Sequence, residues 1–308
     1  VAVMSEITNM PAVTDKPKLR VVSCSGGKDS TALLLMMIER GMPIDVVLNC
    51  DTGMEFPEMY EHLDKLEAEI KKRIGIGITR LRADKTFEYY FLEAPVKRRR
   101  DTEFSAKFGK NHTGYGWAGP KMRWCTTRLK TDIINRYLTE LRKKYDVVQY
   151  VGIAADEPKR IRDLNYPLVE WGVTEADALQ YCYDHGYDFG GLYKLFHRVS
   201  CWCCPLQGLS ELRNLRKHFP ELWAKLLYWE TRTWRSFRAD YSVDELEIRF
   251  AFEEECEAAG KSIRNRAFYK ELKQRIMRAA MENEKQELAE AQDARTAGAP
   301  GKAGGGNG

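Results

Sequence analysis

No apolar run in this chain approaches the roughly 20 residues that span a bilayer, which argues against a helical membrane protein. Residues 1–18 also lack the basic start and apolar stretch of a secretory signal, so the expectation is a cytoplasmic protein. A surplus of one charge is missing as well. With 49 basic against 45 acidic side chains the net charge is +4, too balanced for composition alone to indicate nucleic-acid binding. Eight cysteines in 308 residues are too sparse for the disulfide framework of a small secreted domain. Three of them nevertheless crowd into Cys201, Cys203 and Cys204, which points to metal or redox chemistry. Internal repeats are absent, and the chain is long enough to bury a core without staples.

What is present is an alternation of short apolar runs with helical periodicities. Leu19–Cys24, Ile44–Asn49, Gly77–Leu81 and Val147–Ile153 read as strands; Ser30–Arg40, Pro57–Lys72 and Thr126–Lys144 read as helices. Such alternation favours a parallel α/β sheet. Thr174 and Asp177 have the spacing of a capping box for a helix ending near Gly186. From Pro95 to Gly119 the pattern breaks into a polar, basic stretch, longer than most structureless connections. Beyond Ser210 the chain reads as helical, with an apolar stripe through Leu212, Leu215, Phe219, Leu222, Leu226 and Trp229 and a charged last helix over Asn265–Ala291. The expected division is a flexible leader over 1–18, a nucleotide-binding domain with the cysteine cluster over 19–209, a helical C-terminal region over 210–293 and a disordered tail over 294–308.

Between the first strand and first helix stands Ser25-Gly26-Gly27-Lys28-Asp29-Ser30. Backbone N–H groups and the positive end of a helix dipole converge there, so an anion is the expected tenant. The two glycines permit close approach of the backbone, Lys28 adds positive charge, and Ser25 and Ser30 offer hydroxyl donors. The turn fits neither a Walker A loop nor a dinucleotide fingerprint. Its bland alternative is an ordinary connection between two elements.

This turn resembles the pyrophosphate-binding loop of the adenine-nucleotide alpha-hydrolase superfamily. Asp51-Thr52-Gly53 with Glu55-Phe56-Pro57-Glu58 resembles the phosphoadenosine phosphosulfate (PAPS) reductase branch, and Trp117–Lys130, the Gly152–Arg162 segment and the cysteine cluster follow in the expected order. The resemblance covers about residues 19–230. It implies an α/β, Rossmann-like, mostly parallel sheet flanked by helices, with a helical C-terminal extension and an adenine nucleotide across the strand ends. The implied nucleotide-binding set is Ser23, Ser25, Gly26, Gly27, Lys28, Asp29, Ser30, Asp51, Thr52, Gly53, Lys130 and Arg160, with Lys28, Asp29 and Asp156 as catalytic groups. Asp156 and Glu157 end a strand where carboxylates can hold Mg²⁺ on a triphosphate, although pairing with Lys159, Arg160 and Arg162 explains them equally.

In assimilatory adenylyl-sulfate reductases of this family a cysteine pair before a helix and a later CxxC hold a four-iron cluster. Cys125 and Lys130 match the first element, Cys201 and Cys204 the second, and Thr126 stands where the second cysteine of the pair would be. Either Cys203 supplies the fourth thiolate, or one iron is left open to carry sulfide. The metal-ligand set is therefore Cys125, Cys201, Cys203 and Cys204, for a 4Fe-4S cluster in preference to zinc. Cys24, Cys50, Cys182 and Cys256 sit in apolar or helical settings and read as structural.

A basic stretch, Lys97–Arg100 with Lys107, Lys110, Lys121, Arg123, Arg128 and Lys130, is interleaved with Phe104, Phe108, Tyr115, Trp117 and Trp124, a mixture suited to phosphate contacts and base stacking. Its alternative is a solvated basic loop. Three functions follow from the resemblance. The first is an ATP pyrophosphatase that adenylates an acceptor for iron–sulfur-dependent sulfur transfer, as in DNA phosphorothioation or RNA thiolation, with a cysteine desulfurase as sulfur donor. The second is reduction of PAPS or adenylyl sulfate to sulfite with thioredoxin; here the only trace of the Glu-Cys-Gly-Leu-His-like nucleophile segment is Glu255-Cys256-Glu257, and the arginine such reductases carry near Ala154 is absent. The third is a non-catalytic nucleotide- and cluster-binding sensor. The sequence leaves the oligomeric state open.

Overall fold

The computed structural model describes residues 16–97, 106, 109 and 111–297. The chain divides into two compact units, Val1–Lys225 with Arg232–Arg235 and Leu226–Thr231 with Ser236–Gly308. Of the leader and tail expected from sequence, residues 1–15 and 298–308 lie outside the described residues, while Lys18 already belongs to a strand and the last helix continues to Ala297.

The first unit is built on four parallel strands: β1 (Lys18–Ser23), β2 (Val46–Asp51), β3 (Ile78–Arg82) and, after the short β4 (Pro95–Lys97) and β5 (Asn111–Thr113), β6 (Asp146–Val151). Their order is β3-β2-β1-β6, with Val21 opposite Val46 on one side and Gln149 on the other. This bears out the α/β, Rossmann-like architecture. The chain moves outward from β1 to β3 and then crosses to the other side of β1, so a topological switch point opens between β1 and β6, the place where open α/β sheets bind ligands. Helix α1 (Lys28–Glu39) is buried almost all round, and Val21, Val22, Leu33 and Leu34 have no exposed surface. It packs against the helix Glu175–Asp184. Helix α2 (Pro57–Ile74) starts with Pro57 in its first turn and stops at Gly75, which takes the left-handed conformation.

Several boundaries differ from the sequence reading. β2 starts at Val46 and not Ile44, because Asp45 uses its carboxylate to accept the Arg20 amide at 2.7 Å, ahead of the strand register. The polar stretch from Pro95 is not wholly without pairing, since β4 and β5 form an antiparallel pair. The helix expected from Thr126 is interrupted: Trp124–Thr126 passes through a π-turn over Thr127–Thr131 before Asp132–Lys144. The capping box at Thr174 and Asp177 is present in full.

In the second unit the helix Val243–Ala258 begins with a capping box between Ser242 and Glu245, and Arg266–Ala297 follows. Phe252, Cys256, Phe268 and Leu272 make its apolar cluster, with the Phe252 and Phe268 rings stacked at 4.9 Å. Arg249 and Glu253 form a buried ion pair at 2.8 Å, and Arg249 also donates to the Tyr241 hydroxyl at 2.9 Å, so neither charge is left without a partner. Among the described residues no helix is long and apolar enough to cross a membrane.

One buried group gives the first unit a pH dependence. His62 on α2 shares a 3.1 Å hydrogen bond with the Thr31 hydroxyl and stacks near Phe189, and burial with the nearby Lys65 charge pushes its pKa from 6.5 down to about 4. The unfolded chain takes up this proton near pH 6.5 and the folded chain only near pH 4, so stability is full above about 6.5 and falls as pH drops through that window. The expected loss approaches about 3 kcal/mol, measurable by denaturant titration at pH 7 and pH 4.5. His62→Gln should flatten the difference, and an unchanged slope would show that another group is responsible.

Candidate active site at the strand ends

β1 ends at Ser23, and the chain must turn within four residues to enter α1. Gly26 makes the turn with φ of +85°, and a Cβ there would meet Leu63 and Met59 side chains at 3.2–3.3 Å. Asn49 on β2 donates to the Cys24 carbonyl at 2.8 Å, fixing the start of the turn, while the Ser30 hydroxyl donates to the Gly27 carbonyl at 3.0 Å and lies 3.2 Å from the Ser25 hydroxyl. No side chain of Gly27 can cap α1, so the first amides of the helix face the turn. From the other side of the switch point, Gly152 follows β6, and a Cβ on it would fall 2.8 Å from the Asp29 carbonyl group and the Ser30 Cα. Backbone meets backbone here with no room for a methyl.

Lys28 and Asp29 lie in the first turn of α1, and Lys28 is buried. The Lys28 Nζ is 3.4 Å from an Asp29 oxygen and 3.4 Å from Glu175. Oxygens of Asp29, Glu157 and Glu175 all lie within 4.8 Å of one another, and among the described residues this trio is the set with metal-ligand spacing. Its electrostatics are strained. Burial raises the Asp29 pKa, opposed by Lys28 and reinforced by Glu175 and Glu157, and one buried Asp29 oxygen accepts no hydrogen bond. Burial works against Glu157 too, but its ion pair with Arg160 and the nearby Lys28 hold its pKa below the usual carboxylate value.

Two expected site residues have partners within the chain. Asp156 is outside the carboxylate trio, and its carboxylate accepts the Glu175 amide at 3.0 Å at the start of the helix Glu175–Asp184. Arg160 is engaged with Glu157. Asp51 holds its own turn by accepting the Gly53 amide at 2.7 Å, the Tyr60 hydroxyl at 2.9 Å and the Arg82 guanidinium.

At the end of β2 a second group gathers. The Thr52 hydroxyl donates to a Glu55 oxygen at 3.1 Å, Lys130 donates to the same oxygen at 3.3 Å, and the Cys201 thiol lies 3.7 Å from Thr52 and 3.8 Å from Glu55. The π-turn that presents Lys130 also leaves the Leu129 carbonyl free to accept the Cys50 thiol at 3.2 Å. Burial opposes the charge on Lys130, but Glu55 and Cys201 hold its pKa above the ordinary lysine value. Burial, then Glu55, pushes the Cys201 thiol up to about 12. Cys203 is buried and its thiol is raised well above the usual value by burial and then by Cys201, Cys204 and Cys125, so the structure brings the four expected cysteines into one electrostatic neighbourhood. Cys24 and Cys182 are buried, and the Cys182 thiol donates to the Lys28 carbonyl at 3.4 Å.

Among the described residues, the two tryptophans of the basic stretch are interior. Trp117 is 0% and Trp124 6% exposed, with the Trp124 indole donating to the Gly116 carbonyl at 2.9 Å. Neither ring is a surface for stacking bases. Lys121, Arg123 and Arg128 are exposed; Phe104, Phe108, Lys107, Lys110 and residues 98–100 lie outside the described residues.

Sequence reasoning missed Glu175 and Glu55 as site residues. Glu175 reads as an ordinary first-turn acid after a capping Thr, and only the packing of its helix on α1 turns it toward Lys28.

The strand order defines an open, parallel α/β protein with a glycine turn at the head of its first helix, beside the switch point. The chain belongs to the phosphoadenosine phosphosulfate reductase domain family, whose model matches residues 20–207. It is 28% identical over 226 residues to an uncharacterized protein of Methanocaldococcus jannaschii, covering 68% of this chain and 40% of that one. It is 27% identical over 256 residues to an uncharacterized 37.8 kDa protein from the gpa 5′ region of Escherichia phage 186, covering 69% and 74%. The chain thus spans about two fifths of the length of the archaeal relative. Among solved structures, the U34-tRNA thiolase NcsA from Methanococcus maripaludis with its 4Fe-4S cluster aligns over 71% of this chain and 73% of its own at 16% identity, with a TM-score of 0.32, too low to establish more than a distant likeness.

Proposed function

We propose that this chain is an ATP pyrophosphatase that adenylates an acceptor for sulfur transfer, with a cysteine-held metal centre beside the nucleotide. The observation that carries this reading is the carboxylate trio next to Lys28. A sulfonucleotide brings only negative charge, which Asp29, Glu157 and Glu175 would repel. A triphosphate that arrives with Mg²⁺ turns the same carboxylates into ligands, and the unpartnered Asp29 oxygen fits that role. A bound cation would neutralise charge developing on the phosphate oxygens as the α–β bond breaks. Gly26 and Gly27 give main-chain amides access to the β- and γ-phosphates, and Lys28 supplies the fixed positive charge. Ser23, Ser25, Ser30, Gly53 and Arg160 would be further nucleotide contacts in this reading.

A set of cysteine thiolates suits zinc and iron–sulfur alike, and the family resemblance favours the cluster. A cluster held by Cys125, Cys201 and Cys204, with Cys203 as fourth ligand or one iron open, would supply the sulfur-carrying site. The exposed Lys121, Arg123 and Arg128 favour a polyanionic acceptor such as nucleic acid, with a cysteine desulfurase as donor.

Purified without oxygen and given nucleic acid as the acceptor of the adenylyl group, the chain is expected to release pyrophosphate from ATP and no sulfite from adenylyl sulfates; sulfite with thioredoxin and no pyrophosphate would favour the reductase, and neither product the sensor. Cys256 bears on the same choice. It is 5% exposed within the Phe252 and Phe268 cluster, so Cys256→Ala is expected to leave turnover within about twofold while costing some stability. Loss of turnover with the fold intact would revive a nucleophilic role for Cys256.

A further inference from the structure

The donor at the head of α1 that a phosphate oxygen would take is already bonded. The Lys28 amide donates to the Tyr193 hydroxyl at 2.9 Å, although Tyr193 lies 165 residues further along the chain. The same hydroxyl is 3.3 Å from the position a Cβ on Gly27 would occupy, so the phenol sits over the glycine turn. The Lys28 ammonium lies 5.7 Å from the ring centroid. Tyr193 is carried by the short helix Leu192–Leu195, which follows three consecutive residues of positive φ: Phe189 at 55°, Gly190 at 62° and Gly191 at 77°. Gly190 is pressed against Glu58, where a Cβ would come within 2.6 Å of that side chain, and the Tyr193 ring meets Phe189 edge-on at 4.9 Å. A sharply turned segment therefore delivers one polar tip to the turn.

The geometry points to Tyr193 as the resident occupant of the phosphate cradle: its hydroxyl oxygen holds the Lys28 amide in the free protein and yields that amide to a phosphate oxygen on binding. This rests on the reading of the turn as a polyphosphate site. The exchange is favourable because a charged acceptor makes roughly twice as strong a bond as a neutral hydroxyl and also meets the positive end of the helix dipole. Tyr193 then sets affinity by competing for the amide. The opposite arrangement, in which the hydroxyl keeps the amide and donates its proton onward to phosphate, would make Tyr193 a ligand whose loss weakens binding.

Calorimetric titration of inorganic pyrophosphate with Mg²⁺ into the wild-type chain and Tyr193→Phe separates the two. The Phe variant is expected to bind about fivefold tighter, the worth of one neutral hydrogen bond that no longer has to be surrendered. Equal or weaker binding by Tyr193→Phe overturns the inference. Tyr193→Met, which also lacks the hydroxyl, must move in the same direction, so a folding defect confined to one variant does not decide the matter. Wild-type binding without a gain in the variants removes this inference alone; no binding by any of the three proteins removes the polyphosphate reading with it.

Discussion

Lys28→Ala is expected to lower pyrophosphate release from ATP by about 10²–10³-fold, the cost of removing one preorganised charge from a phosphoryl-type site. In the free protein Lys28 is the cation facing both Asp29 and Glu175, at 3.4 Å from each. Removing it leaves the trio with less to balance its negative charge. Burial already drives the Asp29 pKa upward against the help of Lys28, so that balance is delicate. Mg²⁺ should therefore recover part of the nucleotide affinity of Lys28→Ala, by standing in for the missing charge, and little of the rate. Rates and affinities measured across a Mg²⁺ series distinguish this from a folding defect. A variant that turns over normally would mean that Lys28 serves only to hold the fold.

Gly152→Ala is the second large effect. The new methyl would meet the Asp29 carbonyl group and the Ser30 Cα at 2.8 Å, and these are backbone atoms at the start of a buried helix that cannot swing aside. Overpacking of this kind costs about 1–3 kcal/mol of stability. The relief available is to push the glycine turn off β6, so on the proposed reading nucleotide affinity should fall along with the melting temperature. Gly27→Ala makes the informative contrast. Its nearest neighbour is the Tyr193 hydroxyl at 3.3 Å, a side chain that can give way, and it should be the milder change in stability. Equal stability losses for the two substitutions would contradict the close approach of β6 and α1.

Much of this frame is legible in the residues because it depends on local pattern. The apolar run ending in Ser23, two glycines and a helical periodicity can form little other than a strand, a tight turn and a helix, and β1 and α1 fall within two residues of that reading. Thr174 and Asp177 give their helix start away by the same kind of local chemistry. What stays hidden depends on tertiary placement. Asp156 and Glu157 are adjacent in sequence and chemically alike, yet one caps a helix and the other joins the trio, a choice made by how β6 meets the helix at Glu175. Trp117 and Trp124 read as surface aromatics because basic residues surround them in sequence, whereas in space they fill the interior. Tyr193 carries no motif at all; its role comes from a segment that three positive φ angles bend back over α1. The π-turn at Thr127–Thr131 is likewise invisible to periodicity, though it is what sets Lys130 beside Glu55 and Cys201.

The most direct test is the affinity of the intact chain for ATP measured by calorimetry with and without Mg²⁺. Carboxylates that wait for a cation beside an anion-binding turn should make ATP bind at one site per chain, at least tenfold tighter with Mg²⁺ than without, and bind adenylyl sulfate no tighter when Mg²⁺ is added. Tight binding of adenylyl sulfate together with an ATP affinity indifferent to Mg²⁺ would contradict the polyphosphate site.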